Sequence, residues 1–169
     1  MKLQTFYTNR LKNYLTIKNM EVKIKKTHKD AVIPQYAHKG DAALDVTATS
    51  FHIDTDGNFV YGIGLAFDIP EGYYMQVLPR SSNAKKDLIL SNGIGTIDSS
   101  YKGEVIFKFK PSTRMKGSLH IIPGMVKHYA IGDRIGQIII LPYPTIEFVE
   151  VDELSDSERG TGSYGSTGV

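Results

Sequence analysis

Residues Leu78–Glu104 read LPRSSNAKKDLILSNGIGTIDSSYKGE, and the rest of the chain is arranged around them. Two polar, glycine- or serine-marked turns flank one apolar run, Leu88-Ile89-Leu90, which has the length of a buried strand. Ahead of it, Arg80-Ser81-Ser82 precedes Asn83-Ala84-Lys85-Lys86, so Ser81 or Ser82 is placed to cap a short helix. The free N–H groups of such a start attract phosphate, and Arg80 adds a planar fork for phosphate or carboxylate. The same letters also fit a capped basic turn on a solvated surface. Behind the run, Asn92 is followed by Gly93 and Gly95, which permit positive φ or close backbone approach. Ile97-Asp98, Ser99-Ser100 and Tyr101 then lead into the alternating strand Val105-Ile106-Phe107-Lys108-Phe109. A polar turn between two apolar runs reads as a hairpin. It gathers an amide, a carboxylate and a phenol close to a candidate phosphate site.

Outward from there the chain continues as short strands broken by turn residues. Upstream lie a period-2 strand at Met20–Lys25, one at Ala43–Ala48, the turn Asp54–Asn58, Phe59–Ile69, and Tyr73–Leu78. Downstream, Leu119–Ile122, Met125–Ile131, Ile135–Leu141 and Ile146–Val151 read as strands, the run Ile138–Leu141 as core. Helical spacing is confined to Ser81–Asp87 and to Phe6, Tyr7, Leu11, Tyr14 and Leu15 near the start. Regularly spaced short strands predict an all-β sandwich or barrel, and 169 residues make one domain. The sequence divides into an extension, 1–19, a β domain, 20–152, and an arm, 153–169.

Composition excludes several classes of function. With no cysteine there is no disulfide, thiolate metal site or thiol nucleophile, which suits a reducing cytoplasm. No run is long and apolar enough for a membrane span, and the start lacks the apolar core of a secretory signal. The net charge of +2 hides an asymmetry: residues 1–30 hold eight Lys/Arg against Glu21 and Asp30, the remainder twelve against sixteen Asp/Glu. The basic arm carries no nucleic-acid motif, so a solvated tail is the expectation and no nucleic-acid partner is assigned. The five histidines are dispersed without zinc spacing, and neither a Walker loop nor a nucleophile elbow is present.

Three further features carry chemistry. Asp45 stands mid-strand in Ala43-Leu44-Asp45-Val46, where a carboxylate must be exposed, paired or functional; pairing with an arginine and a role near a metal stand side by side. Gln137 interrupts the apolar strand after Gly132-Asp133-Arg134, either to satisfy a sheet edge or to serve the phosphate site. The tail places Arg159 and Tyr164 among Gly, Ser and Thr, the composition of a disordered terminus and equally the layout of a flexible lid.

Taken together these stretches resemble the five ordered motifs of the trimeric dUTP diphosphatases (dUTPases). Ala42–Val46 is similar to AGxDL, Pro79–Ser82 to PRSS, and Asn92–Gly103 to the motif running from N through I-D-x-x-Y-x-G. Gly132–Gln137 is similar to GDRxxQ, and Arg159–Gly168 to RGxGGFGSTG. The resemblance covers the chain from about Met20 to the end. It implies a jelly-roll-like β barrel with a flexible C-terminal arm, assembled as a homotrimer with active sites shared between subunits. It implies hydrolysis of dUTP to dUMP and pyrophosphate, with Asp98 as general base for water attacking the α-phosphorus.

By the same resemblance, Arg80, Ser81, Ser82, Gln137 and Arg159 would hold the phosphates. Asn92 with Gly95, Thr96, Ile97 and Ile106 would read uracil, Tyr101 would pack under the deoxyribose, and the lid would stack Tyr164 on the base and bring Gly165 and Ser166 to the substrate. Mg²⁺ would ride on the phosphates, with Asp45 reaching it only through water. Three departures from the motifs stand out: Ala43 and Ser163 where glycine is usual, and Tyr164 for phenylalanine. Two other readings are a dCTP deaminase relative, for which Glu104 would be the catalytic glutamate, and a nucleotide-gated regulatory binding protein.

Overall fold

A computed structural model of the chain describes residues 20–112 and 126–163. Among the described residues nine strands follow in chain order: β1 (Lys23–Lys26), β2 (Leu44–Thr47), β3 (Ser50–Ile53), β4 (Phe59–Asp68), β5 (Tyr73–Pro79), β6 (Leu88–Leu90), β7 (Gly95–Ile97), β8 (Glu104–Pro111) and β9 (Arg134–Pro142). They form two antiparallel sheets, one ordered β1-β4-β8-β6 with β3 also on β4, the other β2-β9-β5-β7. The described residues hold one 3-10 turn, Ser81–Lys85, and no helix long and apolar enough to cross a membrane. The all-β expectation is met.

The core lies between the sheets. β8 alternates strictly, with Val105, Phe107 and Phe109 buried and Ile106, Lys108 and Lys110 outward, as its period-2 sequence requires. β4 is buried along nearly its whole length. Its inward residues Phe59, Tyr61, Ile63, Leu65 and Phe67 join the core, where each large side chain contributes about 1.5–3 kcal/mol by leaving water. Gly136 of β9 faces Phe107 so closely that a Cβ would overlap the ring. That contact brings the two sheets to packing distance.

The register of β4 on β8 shifts between Gly62 and Ala66. Gly64 takes φ +67° there, and the Glu104 side chain fills the bulge. Its Oε1 accepts the Gly64 N–H at 2.8 Å, and its Oε2 accepts the Thr27 hydroxyl at 3.1 Å. A side chain at Gly62 would collide with this carboxylate. Glu104 is therefore a structural plug that replaces a missing ladder bond.

Several expectations are corrected. The two apolar runs flanking the stretch around Asp98 do pair antiparallel, Leu88–Leu90 as β6 against β8, but their connection is more than a turn: within it β7 pairs with β5 in the other sheet. The turn after Ile97 thus carries the chain from sheet to sheet. Ile89 of β6 points outward between buried Leu88 and Leu90. Residues 126–131 and 146–151 form no ladder among the described residues. Of the run Ile138–Leu141 only Ile138 is buried, the others being partly exposed. The helix over 1–19, the strand Leu119–Ile122, and Tyr164, Gly165 and Ser166 lie outside the described residues.

Candidate active site

Three adjacent strands assemble the first half of the site. Asp45 in β2 stands opposite Gln137 in β9, and Gln137 stands opposite Leu78 in β5, two residues before Arg80. Arg80 donates through Nε to Asp45 Oδ1 at 2.8 Å and through Nη2 to Oδ2 at 3.2 Å, the two-pronged geometry that fixes a guanidinium plane. Arg134 Nη1 reaches Asp45 Oδ2 at 2.9 Å, and Gln137 Nε2 reaches Oδ1 at 3.1 Å. One carboxylate thus holds two guanidinium groups and an amide, leaving a surplus of one positive charge. Arg80 Nη1 is left to donate to Ser82 Oγ at 3.1 Å.

Burial of Asp45, whose side chain is 13% exposed, opposes its ionisation. The hydrogen bonds and charges of Arg80, Gln137 and Arg134 outweigh that and hold its carboxyl below the usual range. A carboxyl depressed in the folded state stabilises the fold above its unfolded pKa, near 3.9, and loses that contribution as pH falls through the folded value. Asp45→Asn is therefore expected to flatten the acid limb of stability below about pH 4. Urea midpoints measured from pH 2 to pH 7 check it; an unchanged acid limb would mean the pair contributes nothing.

Arg134 belongs to the same cluster, and its side chain is 57% exposed. Sequence reading registered it as one letter of a motif without giving it a role. Its spacing of three residues before Gln137 was the available signal.

The turn after Arg80 differs from expectation in its cap. Arg80 itself is the N-cap residue of Ser81–Lys85, and no side chain caps the turn. Neither serine hydroxyl is used up in capping: Ser81 is exposed and Ser82 faces Arg80. The hydroxyls are available to an anion beside the guanidinium. The turn is held instead from Asn83, whose Nδ2 donates to the Leu88 carbonyl at 2.9 Å and whose Oδ1 accepts from the Tyr129 phenol at 3.0 Å.

The second half is a pocket of about 240 Å³ lined by Val77, Leu90, Ser91, Asn92, Gly95, Thr96, Ile97, Ile106 and Lys108. Gly93 adopts φ +66° to bring β6 round into β7. At Gly95 a Cβ would press on Asn92 Nδ2 and Val77, so glycine is needed for room there and not for a special φ. β7 pairs on one side only, so its outer backbone edge is unpartnered within its sheet. Lys108 on the wall is neutralised by Asp54 at 2.8 Å. That contact drives the Asp54 carboxyl far below its ordinary range and the Lys108 ammonium above its own. The pocket therefore offers no free charge from this lysine.

Asp98 follows directly on Ile97 and is exposed. Its carbonyl accepts the Tyr101 N–H at 3.1 Å, closing a turn. The Tyr101 phenol folds back to the Glu104 carbonyl at 2.9 Å, and Lys102 Nζ reaches the Ser99 carbonyl at 2.6 Å. The turn is thus held by its own side chains, with the Asp98 carboxylate outward. Arg159 lies in a separate exposed turn, donating through Nε to the Gly162 carbonyl at 2.9 Å.

The structure therefore brings Asp45, Arg80, Ser82 and Gln137 together, and separately Asn92, Gly95, Thr96, Ile97 and Ile106. Among the described residues no hydrogen bond or ion pair joins these two groups to one another or to Arg159.

The dUTPase family model matches residues 29–168. A deoxyuridine 5'-triphosphate nucleotidohydrolase of Nautilia profundicola is 39% identical over 153 residues, covering 88% of this chain and 99% of the relative. Among solved structures, the dUTPase of Staphylococcus bacteriophage 80alpha with dUPNHPP superposes with a TM-score of 0.72 at 27% identity. That match covers 89% of this chain and all of the phage chain. A mutant dUTPase of phage phi11 of S. aureus, described with a structural Mg(II) ion, gives a TM-score of 0.64 at 25% identity over 79% of this chain and 98% of that one.

Proposed function

This chain belongs to the dUTPase family, and from that premise we infer that it is a dUTP diphosphatase, splitting dUTP into dUMP and pyrophosphate. The observation that carries the reading is a pocket of about 240 Å³ lined by Asn92, Gly95, Thr96 and Ile97, with the exposed Asp98 next along the chain, in a fold that also presents a pre-oriented arginine pair.

In the proposed reaction Asp98 accepts a proton from water as the water oxygen bonds to the α-phosphorus. The bond from that phosphorus to the α,β-bridging oxygen breaks in line, and pyrophosphate departs. An exposed carboxylate is suited to this role because water reaches it directly. Arg80, Ser81, Ser82 and Gln137 hold the phosphates. Arg80, fixed by Asp45, meets the developing charge without having to reorganise. Arg159 closes on the terminal phosphate from the arm, with Tyr164, Gly165 and Ser166 over the base.

Mg²⁺ would be held by the substrate triphosphate and by water. Among the described residues no three His, Cys, Asp or Glu side chains converge into a metal cage, which fits an ion retained by phosphates and water. There it supplies charge screening. Asp45, with both oxygens already accepting from arginines and Gln137, serves chiefly to hold Arg80; any part it takes toward the ion is through water.

Selectivity rests on the free edge of β7. Uracil presents an acceptor, a donor and an acceptor along one side, which a strand edge at Gly95–Ile97 matches, with Asn92 completing the set. Cytosine reverses part of that pattern and leaves buried groups unpaired. Ile97 and Ile106 close the wall against a thymine methyl, and Tyr101 occupies the space a ribose 2'-hydroxyl would need.

The homotrimer is part of the proposal. Ile146, Phe148, Val149 and Leu154 are exposed, Phe148 at 92%, an apolar arm that a lone chain would not leave in water. An apolar groove of about 430 Å³ on Val22, Ile24, Leu44, Phe67 and Ile138–Ile140 is equally uncovered. Shared active sites also account for a chain whose phosphate and base halves do not meet. A cytoplasmic setting rests on the cysteine-free sequence.

The deaminase reading loses its candidate residue, because both Glu104 oxygens are engaged at the β4 bulge. Pyrophosphate release across dUTP, dCTP, dTTP and UTP with Mg²⁺ present tests the choice. Release from dUTP alone is expected; ammonia from dCTP would overturn the reading.

A further inference from the structure

The Ser81–Lys85 turn has little local support. It has five residues, no side-chain cap and no buried residue, and short 3-10 turns are marginal without outside support. That support comes from a segment far along the chain, Lys127–Tyr129. The Asp87 N–H donates to the Lys127 carbonyl at 3.0 Å, and the Lys127 N–H donates back to Asp87 Oδ2 at 2.9 Å. Lys86 Nζ donates to the His128 carbonyl at 2.9 Å and sits 4.9 Å from the centre of the Tyr129 ring.

Tyr129 is the centre of this brace. It is 3% exposed, and its ring packs on Phe109 and Tyr61 with centroids 5.8 and 6.1 Å away. The Tyr61 phenol in turn donates to its carbonyl at 3.1 Å. From that fixed base its own phenol donates to Asn83 Oδ1. Asn83 is the pivot of the turn: its N–H donates to the Arg80 carbonyl and its carbonyl accepts from Lys86, both at 2.9 Å. Ser81 and Ser82 lie between Arg80 and that pivot, so fixing Asn83 fixes the direction of both hydroxyls relative to the guanidinium.

We propose that Tyr129 is a positioning residue for triphosphate recognition, holding Asn83 so that Ser81 and Ser82 face the same anion as Arg80. The proposal rests on the reading of Arg80–Ser82 as the phosphate site. Tyr129 does not touch substrate, and its effect falls on the outer phosphates and not on the base.

The test is calorimetric titration of the intact protein with dUPNHPP and, separately, with dUMP, for the wild type, Tyr129→Phe, Asn83→Ala and the double variant. Tyr129→Phe is expected to weaken dUPNHPP binding roughly three- to tenfold, the scale of one neutral hydrogen bond, with dUMP binding unchanged. Asn83→Ala is expected to act in the same direction and at least as strongly, since it also removes the bond to the Leu88 carbonyl, and the double variant to be no worse than Asn83→Ala, since the Tyr129–Asn83 link is already lost there. Unchanged dUPNHPP binding in both single variants, or an equal loss for the two ligands, would overturn the proposal. A wild type that binds dUMP but gains nothing from the added phosphates would instead refute the phosphate site itself, and this inference with it.

Discussion

Asp98→Asn is expected to bind dUPNHPP as the wild type does and to lose turnover by roughly 10²–10⁴, the range that a positioned general base supplies. The amide matches the carboxylate in shape and hydrogen-bonding reach but cannot take a proton from water at neutral pH. A folding defect is not expected to confuse the result. Asp98 is exposed, and among the described residues its side chain has neither an ion-pair nor a hydrogen-bond partner. Surface substitutions of that kind usually change stability by less than about 0.5 kcal/mol. An unchanged melting temperature with collapsed turnover is the expected pair of measurements. Turnover near the wild-type value in a Mg²⁺-replete assay would remove Asp98 from the chemistry.

Deleting Arg159–Val169 is expected to leave the fold and the proposed trimer in place and to lower kcat/KM by roughly 10³, the lower end of what a charge-neutralising arginine contributes in phosphoryl transfer. The described part of that segment adds nothing to the core: residues 159–161 and 163 are exposed, and Arg159 bonds only within its own turn. The exposed apolar residues Ile146, Phe148, Val149 and Leu154 stay in the truncated chain, so assembly and catalysis are separated by this one variant. Size-exclusion chromatography with light scattering reads the assembly, and steady-state kinetics reads the site. A truncated protein with full activity would show that the arm is no lid.

How much was legible in the sequence differs from element to element. β8 could be read directly because Val105, Phe107 and Phe109 alternate with polar or outward residues, and alternation is a local signal. The allotment of β7 and β8 to different sheets could not be read. It depends on partners in β5 and β4, tens of residues away, and the Asn92–Tyr101 turn looks the same in a hairpin as in a crossover. The pattern Ile146–Val151 was read as a strand because alternation reports a need for burial, not where the burial occurs. Within this chain those residues are exposed and unpaired among the described strands.

The candidate site shows the same division. Asp45, Arg80 and Gln137 were nameable from motif letters, but only the β2-β9-β5 register shows that one carboxylate orients two arginines. Glu104 was a reasonable catalytic candidate by type and place. Its role became evident only with the bulge at Gly64, whose amide it satisfies. The letters offer Ser81 or Ser82 as a cap, and the structure uses neither, the turn being held through Asn83 and Tyr129. No local pattern announces that contact, since the two residues are 46 positions apart.

The most direct test of the account follows the oxygen of the attacking water. With dUTP hydrolysed to completion in a single turnover in ¹⁸O-enriched water, the account predicts the label in the phosphate of dUMP and none in pyrophosphate. Label in pyrophosphate would place the attack on the β-phosphorus and contradict the geometry assigned to Asp98.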